Sequence, residues 1–176
     1  MNHTRITLMC FCLLGSFFSS CHDLEEGVQN SRDWAIYRLA DATVTSDQIR
    51  NEPLLHLTLA AVPFISERDI RSYHWKSHSI ECTSRTDSLL DSLALHGGST
   101  RGVPFVVTVN REPIYVGSFW WGYSSMMPWC PYLELTFPRG PVSRGIQLPQ
   151  LPQGGDPRSD VRIYWALKNA GILTEE

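Results

Sequence analysis

The sequence predicts an α+β domain in which one mixed, mainly antiparallel sheet carries about three helices on one face. Three features predict it. Short β-rich runs recur along the chain, and two of them, residues 103–109 and 114–119, are separated only by Asn110, Arg111, Glu112 and Pro113, the spacing of a hairpin. Segments with apolar residues at helical spacing stand between strands that can pair antiparallel. Each of those segments is preceded by a capping residue.

The domain opens near Trp34, where apolar residues occupy both alternating sets over residues 34–40, as in a strand packed on both faces. Residues 54–60 form a second such run. Pro63 breaks it, and Ser66 with Asp69 makes a capping box that predicts a short helix from Glu67 to about Tyr73. Residues 78–82 read as a third strand. Ser84 and Asp87 repeat the capping signal, Leu89, Leu90, Leu93 and Ala94 form a helical face, and Gly97 with Gly98 ends it. After the hairpin, residues 132–137 add another strand. Residues 138–155 are so rich in Pro and Gly that they are expected to lie as a loop over the body. Asp156 then caps a closing helix with Pro157 at its first position, Ile163, Ala166, Leu167 and Ala170 on one face, and Gly171 as terminator.

Ahead of the domain stands an address. Arg5 is followed by an almost wholly apolar run over residues 6–18, then by Ser19 and Ser20 set against Cys21. The run is shorter than the roughly 20 residues that span a bilayer, and polar sequence follows it, as in a secretory signal. This predicts a signal peptide over residues 1–20, lipid attachment at Cys21, a polar tether over 21–33 and a single domain over 34–176. A non-lipidated signal cut slightly later would export the chain equally. His22 in place of Asp points to the outer membrane where the host has two.

Removing the leader takes away one of 15 basic side chains and none of the 18 acidic ones, so the mature chain carries 14 against 18, a net charge of −4. Its cations are scattered and only Lys76 and Lys168 are lysines, so no basic stripe exists for a nucleic acid. Cys10 and Cys12 leave with the leader. Cys82 and Cys130 remain, either as a disulfide in an oxidising compartment or as two core thiols.

The blocks PFISERDIRSYHWKSHSI, GVPFVVTVNREPIYVGSFW and DPRSDVRIYWALKNAGIL resemble those of small uncharacterised exported bacterial proteins and lipoproteins. More distantly, the succession of Asp69-Ile70, a strand, a Gly-terminated helix and FVVTVNREPIYVG is similar to the periplasmic domain of the SecD export subunit. The first resemblance implies an envelope address and the second a fold; neither brings a catalytic residue.

No catalytic signature stands out. His74 and His78 are four apart with Glu81 and Cys82 behind them, but the strand predicted over 78–82 keeps the rings from converging, so His78 reads as a hydrogen-bonded structural residue and no metal site is expected. Gly122-Tyr123-Ser124 begins like a nucleophile elbow, yet Met126 stands where the second glycine belongs. Residues 97–102 are glycine-rich without the Gly-Lys-Ser/Thr of a P-loop, and no cofactor pattern is present. The densest feature is residues 118–132, SFWWGYSSMMPWCPY. Its aromatics either plug the open end of the sheet or form a binding face, centred on Trp120, Trp121, Tyr123 and Trp129, for a peptide, glycan or partner protein. If the strand continues through Trp120 and Trp121, one is expected inside and the other exposed. The expected function is a lipid-anchored extracytoplasmic binding or accessory component of the bacterial envelope, the alternative a small hydrolase-like enzyme without a recognisable motif.

Overall fold

The computed structural model describes residues 32–135, 144–149 and 155–176. The signal peptide, most of the tether and Cys21 lie outside the described residues.

The fold is α+β. Among the described residues nine strands form one sheet: β1 (Trp34–Arg38), β2 (Ile65–Ser66), β3 (Ile70–His74), β4 (Ser79–Cys82), β5 (Val103–Val109), β6 (Glu112–Trp121), β7 (Tyr132–Leu135), β8 (Arg144–Gln147) and β9 (Leu173–Thr174), in the order β2-β1-β5-β6-β7-β8-β4-β3-β9. Pairing is antiparallel except at β6/β7 and β3/β9. Both edge strands have two residues each, which leaves little unpaired ladder to recruit another chain. The β5–β6 hairpin turns through Asn110 and Arg111, both at positive φ, between the paired residues Val109 and Glu112. Two such residues give the turn the twist that matches its strands. The Asn110 side chain also accepts the backbone N–H groups of Arg32 and Asp33 at 3.3 Å, which fixes where the chain enters the sheet.

Among the described residues two α-helices, α1 (Ser84–His96) and α2 (Val161–Asn169), pack on one sheet face, against the three or so expected. Leu90 and Leu93 of α1 and Ile163, Ala166 and Leu167 of α2 join Trp34, Ile36, Phe105, Val107, Phe119 and Trp121 in the main core. The opposite face carries a smaller cluster, Leu39, Ile49 and Val106, covered by Val44, Leu54, Leu57, Leu59 and Trp129. The sheet is thus roofed on both sides.

The helix caps differ slightly from expectation. Thr83, one residue before Ser84, accepts the Thr86 N–H and starts α1, and Gly97 ends it. Asp156 caps only a 3-10 turn (Pro157–Ser159), and Asp160 caps α2 itself, so the closing helix begins later than the Pro157 signal predicts.

Three elements differ in kind. The capping box of Ser66 and Asp69 is present, but it opens a single 3-10 turn (Glu67–Asp69), after which the chain runs out as β3. Pairing with β4 and β9 outweighs a helix that would have been two turns long. Residues 54–60 hold a 3-10 turn (Leu54–His56) and one bridge, Leu39 to Leu59, rather than a strand, because their leucines cover the second sheet face instead of pairing. Within the Pro- and Gly-rich stretch, Arg144–Gln147 forms β8 between β7 and β4. Those four residues contain no proline, and buried Arg144 reaches the carboxylate of Asp91 on α1 at 3.0 Å.

Candidate functional site

Trp120 and Trp121 are both buried, at 6% and 1% exposure, and neither belongs to an exposed face. Alternation does send them to opposite sides of β6, but with a roof on each side both positions are interior. Trp121 lies in the helix-side core, where its Nε1–H donates to the Ala94 carbonyl of α1 at 3.0 Å. Trp120 packs over Gly102, where a Cβ would fall 2.6 Å from the indole. Trp129 is half-buried in the second cluster and donates its Nε1–H to the Ser46 carbonyl at 3.0 Å. Three of the four expected face residues therefore hold the fold.

The fourth is different. Tyr123 is 66% exposed, and beside it in the β6–β7 loop stand Met127 at 78% and Met126 at 39%. Large apolar side chains left in water on a loop need support, and the loop has it. Ser124 donates its N–H to the Trp121 carbonyl and its hydroxyl to the Thr100 carbonyl at 2.6 Å, while the same oxygen accepts the Met126 N–H. Ser124 is thus a staple between two loops rather than a nucleophile at an elbow. Trp121 holds one end of the loop and Trp129 the other. The result is a fixed turn that presents a phenol and two thioethers to solvent at the end of the sheet opposite the entry point, since β6 runs from Glu112, beside that point, to Trp121.

Cys82 and Cys130 are both thiols. Cys82 on β4 and Cys130 before β7 are separated across β8, and the register keeps them apart along the strands. Ile80 lies across from Arg144, and Leu133 across from Ile146, so Ile80 falls level with Leu135, five residues beyond Cys130, and Cys82 lies two residues further along β4. At about 3.3 Å per residue they are on the order of 20 Å apart, beyond any disulfide. Of the two fates open to them, the structure has the core thiols. Burial pushes the Cys130 thiol up to about 12.

His74 and His78 part company as the predicted strand requires. His74 faces Glu81 across the β3–β4 hairpin, with Nε2 to Oε1 at 3.4 Å. His78 adopts positive φ at the tip and turns inward, 5% exposed. Its Nδ1 shares a 3.0 Å hydrogen bond with the Tyr73 hydroxyl, and its Nε2 faces Asp156 Oδ2 at 3.6 Å and Ser159 Oγ at 3.4 Å. With Nε2 toward a carboxylate, the neutral ring carries its proton there and Tyr73 donates to the bare Nδ1. Burial, followed by the positive charge of Arg158, holds His78 below its ordinary range. Burial opposes ionisation of Asp156, but hydrogen bonds from the Arg158 guanidinium and N–H outweigh it and hold the carboxyl low. Burial raises Tyr73. Serine and aspartate sit on the same ring nitrogen, so the arrangement lacks the relay in which one nitrogen takes a proton while the other is oriented. Among the described residues no group of three metal-ligating side chains converges.

Two open grooves of about 370 and 290 Å³ flank β1, and neither is lined by Tyr73, His78 or Asp156. These two grooves and the Tyr73–His78–Asp156 cluster are thus in different places. The larger groove joins β1, the Phe64 region and α1, segments whose meeting has no signal in the sequence. No known protein family, curated protein or solved structure matches the chain.

Proposed function

We propose that this protein is a lipid-anchored binding component of the bacterial envelope, held on the extracytoplasmic side by acylation of Cys21, and that its contact surface is the β6–β7 loop bearing Tyr123, Met126 and Met127. The observation that carries the reading is the exposure of these three side chains on a loop pinned by Ser124, Trp121 and Trp129. Rigid aromatic anchors and adaptable thioethers are what a protein-binding surface uses, because the order is already present before the partner arrives. The resemblance of three sequence blocks to exported lipoproteins supports the address. A chain tethered through Cys21 meets the sheet at Trp34, while the loop lies at the far end of β6, about 30 Å away. The loop therefore lies at the end of the sheet away from where the tether enters it, which favours a protein partner over the anchoring bilayer.

Tyr123→Ala and Met127→Ala, introduced singly in the full-length protein, test this. Each is expected to keep the melting temperature and lose capture of the envelope partner. Retained capture in both variants would dismiss the loop as the contact surface.

A further inference from the structure

The 370 Å³ groove between β1 and α1 has a composition that selects a ligand class. Its walls are apolar, from Phe64, Leu89, Leu93 and Val103, and its polar edge carries Arg38 and His96 with no carboxylate among the lining residues. Arg38 ends β1 on the helix side of the sheet, and among the described residues no acid pairs with it. His96 is in the last turn of α1, its Nδ1 3.0 Å from the Ser92 carbonyl. A carbonyl only accepts, so Nδ1 carries hydrogen, and Nε2 donates to an incoming oxygen anion when the ring is doubly protonated. A guanidinium presents parallel N–H groups that fit a carboxylate in a two-pronged grip. The volume falls within the range of small-molecule sites, roughly 300 to 1,000 Å³.

We infer that this groove is a binding site for a small amphipathic monocarboxylate, with its hydrocarbon part against Phe64, Leu89, Leu93 and Val103 and its carboxylate on Arg38 and His96. Charge complementarity selects an anion, the apolar walls exclude a polyanion, and the missing acids in the lining exclude an amine. The groove is distinct from the β6–β7 loop, so its test is independent of the proposal made for that surface.

The probe is 4-phenylbutyrate, titrated calorimetrically into full-length protein in zwitterionic nanodiscs, with protein-free discs as background and 4-phenylbutanamide as the uncharged twin. Saturable binding is expected, at least about tenfold weaker for the twin. Arg38→Met should weaken phenylbutyrate by a similar factor while leaving the fold intact. Leu89→Glu, at a rim position that is 36% exposed, should do the same by setting an anion against the ligand. An absence of saturable binding overturns the inference, and so does equal affinity for the charged and neutral probes or undiminished binding in both variants.

Discussion

The Trp121 indole Nε1–H donates to the carbonyl of Ala94 at 3.0 Å, tying the last residue of β6 to the last turn of α1. The bond joins two segments 27 residues apart and fixes the root of the loop that exposes Tyr123 and Met127. It follows that the two halves of the aromatic segment have opposite roles. Trp120→Ala and Trp121→Ala should each cost about 3 to 5 kcal/mol in denaturant unfolding, as loss of a core aromatic does. Tyr123→Ala should change stability by less than about 0.5 kcal/mol.

Gly117 lies over the ring of buried Phe105, so that a Cβ there would overlap the ring carbons. Phe105 is itself packed against Phe119 at 4.8 Å between ring centres and has little room to yield. Gly117→Ala should destabilise by about 1 to 3 kcal/mol, measured by urea unfolding. A neutral result would mean that the Phe105–Phe119 pair is not rigid.

The buried His78 makes stability depend on pH. Its proton affinity is lower folded than unfolded, so below about 6.5, its ordinary value, the unfolded chain binds more protons. Its contribution is fully present above that pH and is lost as pH falls toward the depressed folded value. Stability should therefore drop between pH 7.5 and 5.5. His78→Asn tolerates the positive φ at this position and should flatten that slope, at a cost of about 1 to 3 kcal/mol at pH 7.5 from the lost bond to Tyr73. An unchanged slope in the variant would remove His78 as its source.

Cys82 and Cys130 should appear as thiols in non-reducing mass mapping of exported protein, with no link between them. Cys130, buried and with its acidity pushed to about 12, should resist a thiol reagent at pH 8 until the protein is unfolded. A Cys82–Cys130 disulfide would require a different register across β7, β8 and β4.

What was legible in the sequence is what local physics decides. The β5–β6 hairpin, α1 with its glycine stop and the inward structural role of His78 follow from turn residues, capping and periodicity. The failures are cases where partners distant in sequence decide. Nothing within residues 67–73 tells that β9, a hundred residues later, will draw 70–74 into a strand. Likewise β8 is four residues between prolines, visible only through its pairing with β7 and β4 and through Arg144 meeting Asp91. The aromatic segment was recognisable as unusual, but sorting its residues into core and surface required knowing that α1 covers Trp121 and that residues 40–60 cover the opposite sheet face. The groove around Arg38 had no local signature, since Arg38, Phe64 and His96 come from three separate segments.

The address can be read chemically. Exported protein should begin at Cys21 and carry three acyl chains, since one chain alone anchors only marginally. Intact-mass and N-terminal peptide analysis measure this, and a mature N-terminus elsewhere would exclude the anchor.

The most direct test of the binding role is a photo-reactive benzoyl-phenylalanine at position 127 of the full-length protein in living cells. A single discrete cross-linked envelope protein is predicted, disappearing when Tyr123→Ala is added and absent when the probe stands instead at Val161, exposed on α2. Cross-linking at 161 equal to that at 127, or an adduct unaffected by Tyr123→Ala, would contradict a binding face on the β6–β7 loop.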